Sequence, residues 1–71
     1  MSDPGASAEH VWKYRFLRPG GDEIETQEYK DDETAEGRAR DISKAEEIPV
    51  IIHRLHGHVD WQYVTEVDER P

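Results

Sequence analysis

Between His10 and Leu17 the side chains alternate with a period of two: Trp12, Tyr14 and Phe16 fall on one side, Val11, Lys13, Arg15 and Leu17 on the other. Successive residues of an extended chain point to opposite faces, so this segment reads as a strand with one aromatic face to bury. Arg18-Pro19-Gly20-Gly21-Asp22 follows. Proline presets one backbone angle and glycine accepts positive φ, the chemistry of a tight reversal. A second strand is expected from Glu23 to Tyr29. A reversal centred on Gly20-Gly21 sets Leu17 against Ile24, Arg15 against Thr26, Lys13 against Glu28 and Trp12 against Tyr29. That register matches apolar with apolar and cation with anion.

The period then changes. Asp31-Asp32 before Glu33-Thr34-Ala35-Glu36 reads as a helix start, with an aspartate to cap free N–H groups and acids at the positive end of the dipole. The helix is expected to end near Glu47, ahead of Pro49, with a narrow apolar face of Ala35, Ala39, Ile42, Ala45 and Ile48. Pro49 to Ile52 opens a third strand, and Val59, Trp61, Tyr63, Thr65 and Val67 alternate along a fourth. A two-residue loop at His56-Gly57 puts Val50, Ile52, Val59, Trp61 and Tyr63 on one face, and Ile51, His53, Leu55, His58, Asp60 and Gln62 on the other. The expected fold is α+β: β-β-α-β-β, one helix packed on a four-stranded antiparallel sheet, with Trp61 buried under Ala39 and Ile42. Residues 10–67 form the single domain, and 1–9 and 68–71 are expected to be flexible tails.

The acid-Thr-Ala helix start in Asp32-Glu33-Thr34-Ala35, the alanine face at Ala35 and Ala39, and the aliphatic strand entering a turn as Ile51-Ile52-His53-Arg54-Leu55-His56-Gly57-His58-Val59 carry a resemblance. Over about Asp32 to Val59 the chain resembles small bacterial domains of unknown function built as β-hairpin, helix, β-hairpin. The resemblance implies a fold and no activity.

Charge narrows the function. Seventeen acids against nine bases give 71 residues a net charge of −8, which opposes binding to nucleic acid or an anionic membrane through bulk electrostatics. Eleven of those acids lie between Asp22 and Glu47, a stretch that reads as a solvated surface or as a docking surface for a basic partner. There is no cysteine, hence no disulfide, thiolate nucleophile or Cys-type metal site, and no apolar run approaches the roughly 20 residues of a membrane span. A cytoplasmic setting is expected.

Three clusters bear on chemistry. In the expected register His53 faces Asp60 with His58 on the same side, a nitrogen and oxygen set of the kind that binds a divalent ion or senses pH. Trp12, Tyr14, Phe16, Trp61 and Tyr63, with Lys13, Arg15, Arg18 and Arg54, have the composition of a base-stacking platform. Neither a phosphate loop nor a nucleophile constellation is present, and one helix on one sheet offers little concavity, so no enzyme activity and no cofactor are expected. The leading expectation is a non-enzymatic interaction or regulatory module that binds a protein partner or a second copy of itself. Lys13, Arg15, Leu17, Ile51, His53, Leu55 and His58, on the face away from the helix, are the expected contact residues. The nucleic-acid and histidine readings stand as alternatives.

Overall fold

The alternating aromatic segment forms strand β1 (Trp12–Leu17) in a computed structural model that describes residues 10–70. The expected tail at 1–9 lies outside the described residues. Strand β2 (Glu23–Tyr29), helix α1 (Asp32–Glu46), β3 (Val50–His56) and β4 (Asp60–Val67) follow, so the order is β-β-α-β-β. The four strands form one sheet in the order β2-β1-β3-β4, with every neighbouring pair antiparallel. The helix connects an edge strand to a central one, and β1 lies between them.

Tyr14, Phe16, Val50 and Ile52 point from the central strands toward Ala35, Ala39 and Ile42 of the helix, and all seven are buried. Alanines at the contact let the backbone of α1 approach the sheet, while the Tyr29 ring packs on those of Tyr14 and Phe16, each 6.0 Å away. Ala45, expected on this face, is exposed. Ser43 is buried instead: its hydroxyl donates to the Ile48 carbonyl at 2.6 Å and accepts from the Glu69 N–H at 2.8 Å. The chain after β4 is thereby held against the end of the helix as far as Glu69. At the other end Asp31 caps α1, its carboxylate accepting from the Thr34 N–H at 2.8 Å and hydroxyl at 2.7 Å.

Both hairpins depart from their expected registers. In the first, Trp12 to Phe16 pair as expected, but Leu17 faces Glu23, leaving Ile24 as an extra residue in β2. In the second, the turn is Gly57-His58-Val59, so Leu55 faces Trp61 and His53 faces Tyr63. From the turn to the His53–Tyr63 pair, partner numbers sum to 116 where a two-residue loop requires 113. An odd shift turns the side chains of this part of β4 to the other face, so Trp61 and Tyr63 lie away from the helix and Trp61 is not buried under Ala39 and Ile42. A bulge then inserts Val64 between Tyr63 and Thr65 and restores Thr65 and Val67 to the helix side. Ile24 and Val64, the extra residue of each edge strand, both pack on the core.

Candidate functional site

With the helix on one side, the other face of the sheet is a grid of three cross-strand rows. The middle row is Thr26, Arg15, His53 and Tyr63. Toward the β3–β4 turn, Glu28 faces Lys13 and Leu55 faces Trp61. In the opposite direction Glu23, Leu17, Ile51 and Glu66 form the third row. Six of the seven expected contact residues, Lys13, Arg15, Leu17, Ile51, His53 and Leu55, therefore share this face. His58 does not, because it sits exposed in the three-residue turn. Leu17 is only 8% exposed and offers little area, whereas Tyr63, expected in the core, is 64% exposed.

At the centre, Arg15 reaches from β1 over β3, and its guanidinium carbon lies 4.3 Å from the centroid of the Trp61 ring on β4, a cation–π contact. Its Nε is buried without an acceptor, and so is Nδ1 of the neighbouring His53. Burial, and then the charge of Arg15, hold the His53 imidazole below its ordinary value of 6.5, so it is neutral at pH 7. Its ring meets Tyr63 edge-on at 6.4 Å.

A second polar cluster, which sequence reasoning missed, lies on the helix side. Tyr14 donates its hydroxyl to Asp32 Oδ1 at 2.6 Å, and Arg54 Nη1 donates to the same oxygen at 2.7 Å. Arg54 Nε also donates to His56 Nε2 at 3.3 Å, and the Arg54 guanidinium lies 4.9 Å from the centroid of the Trp12 ring. Burial, and then the bond to Asp32, push the Tyr14 phenol up to about 12. Tyr14 is thus a fixed donor, and Asp32, accepting from it and from Arg54, joins α1 to β1 and β3. The partners stand 18 and 22 residues apart in the chain, and no local pattern announces them.

The expected histidine site does not assemble: Asp60 faces His56, His53 faces Tyr63 and His58 is in the turn. Among the described residues no three histidines or acids are grouped to hold a metal ion. The expected stacking platform is divided as well. Tyr14 and Phe16 are fully buried under the helix, Arg18 pairs with Glu46 and Arg54 with Asp32, while Trp61, Tyr63, Lys13 and Arg15 share the open face. One surface depression, about 420 Å³ and open to solvent, is lined by Lys13, Thr26, Gln27 and Glu28. Among the described residues no helix is long and apolar enough to cross a membrane. No family model, no curated protein and no solved structure matches the chain.

Proposed function

We propose that this protein is a non-enzymatic interaction module that engages a protein partner through the sheet face left open by its helix. One observation carries the reading: Trp61, Tyr63, Leu55 and Ile51 form a contiguous, partly uncovered patch around Arg15, although the chain has few apolar residues and a core to fill. Tryptophan, tyrosine and arginine are the residue types that dominate binding energy at protein interfaces. A scattered exposed apolar residue needs no explanation, but a face of them does. The patch lies across the strands of an open sheet face, which suits a protein surface better than a small substrate that needs a concave site. A chain without cysteine needs no oxidising compartment to fold, and a cytoplasmic setting goes with this reading.

The double substitution Ile51→Glu with Leu55→Glu tests it. Both residues lie on the open face, so circular dichroism of the variant should match the parent, while proteins captured from native extract by the parent should be lost. Unchanged capture would transfer the function to the acidic surface of α1 and β2. A second copy of the chain is the competing occupant, and sedimentation of the parent as a dimer at about 100 μM would select it.

A further inference from the structure

Arginine pairing singles out one position on the open face. The chain has six arginines and seventeen acids. Arg18, Arg38, Arg40, Arg54 and Arg70 each pair with a carboxylate at 2.6 to 3.7 Å. Arg15 is the exception among the described residues: no carboxylate pairs with it, its Nε has no acceptor, and the ring of Trp61 sets its plane. Its terminal nitrogens are neither paired nor among the buried atoms, so on a face with no carboxylate bound to it the guanidinium presents free donors of the kind that take an oxyanion.

We propose that Arg15 is the anchor for a carboxylate that the partner protein presents within an apolar patch. This rests on the reading of the open face as the docking surface. A carboxylate is favoured over a phosphate backbone by charge: Lys13 is the only other cation in the grid, Glu23, Glu28 and Glu66 border it, and the molecule carries −8 overall. One desolvated ion pair ringed by Leu55, Ile51, Trp61 and Tyr63 fits a protein contact, in which surrounding apolar groups exclude water. A second copy of this chain fits less well. Pairing the grid with itself about an axis along the strands sets Glu23 against Glu66, and about an axis across them sets Arg15 against Arg15.

The test is selection of a random peptide library, displayed on phage, against the immobilised parent protein. Selected peptides should carry an aspartate or glutamate flanked by aliphatic or aromatic residues. Changing that acid to its amide, or Arg15→Gln in the protein, should weaken binding by about tenfold or more. Arg15→Lys, which keeps the charge but loses the fork and the stacking, should recover only part of it. Peptides that need Ile51 and Leu55 but are indifferent to the amide change overturn this inference and leave the docking face standing. Failure to select any peptide that depends on Ile51 and Leu55 overturns both. A single-stranded oligonucleotide that binds through Arg15 more tightly than the selected peptides replaces the carboxylate with a phosphate.

Discussion

Glu47, which ends the helix, occupies the left-handed region with φ 59° and ψ 44°. A side chain there crowds the following carbonyl, and glycine relieves the crowding without losing the bond from the Glu47 N–H to the Ser43 carbonyl. Glu47→Gly should stabilise the fold by about 1 kcal/mol and raise the melting temperature by about 4–8 °C, read by calorimetry. A lower melting point would show that the cap has another conformation. His53 makes a prediction of opposite sense. Its imidazole is held below the ordinary value of 6.5 in the folded state, so the unfolded chain binds the proton more readily. Stability is therefore full above that value and is lost as the pH falls through it. Urea unfolding at about pH 7.5 and about pH 5.5, both above the carboxylate range, should show the loss in the parent and a smaller one in His53→Asn.

At the scale of elements, β1 and β4 are both aromatic and alternating, yet they have different roles. β1 sits between two strands and beneath the helix connection, so Phe16 has every direction filled. β4 is an edge strand whose bulge at Val64 divides its alternation, sending Trp61 and Tyr63 to one face and Thr65 and Val67 to the other. Phe16→Ala should cost about 3–5 kcal/mol and Trp61→Ala well under half of that, measured by denaturant unfolding of the two variants side by side. Equal costs would return Trp61 to the core. The bulges also twist and interrupt β2 and β4 where a neighbouring chain would pair, a known protection of sheet edges.

For the whole molecule, charge is divided by surface. Arg18, Arg38 and Arg54 tie sheet and helix together through Glu46, Glu25 and Asp32, and their carboxylate partners consume cations that would otherwise offer a basic footprint. Exposed pairs of this kind contribute little stability each, so their main effect is on what the surface presents. What remains on the open face is two cations, Lys13 and Arg15, among aromatics and aliphatics, with Glu23, Glu28 and Glu66 around them. At about 50 mM salt a mixed single-stranded oligonucleotide should bind more weakly than micromolar in fluorescence anisotropy. Submicromolar binding with a steep salt slope would reassign the face. Four strands about 4.8 Å apart and about seven residues long define a face of about 400 Å², the scale of a small, transient interface, so micromolar affinity is the expectation for a protein partner.

Local chemistry made most of the fold legible in the chain. Alternation identified β1, the glycine turn set its pairing with β2 as far as Phe16, and Asp31-Asp32 ahead of Glu33-Thr34-Ala35-Glu36 marked the start of the helix. Each is decided by neighbours in sequence, where backbone sterics and capping act. That six of the seven expected contact residues share one face was legible for the same reason, because β1 and β3 keep an unbroken period of two. The face of β4 was not. One more residue in the turn and one bulge at Val64 change which side Trp61 and Tyr63 occupy, and both depend on how the strand packs against α1. Arg15 over Trp61, and Tyr14 and Arg54 on Asp32, likewise arise only when distant segments meet, since a cation's partner is chosen by proximity in space and the chain offers seventeen acids to choose from.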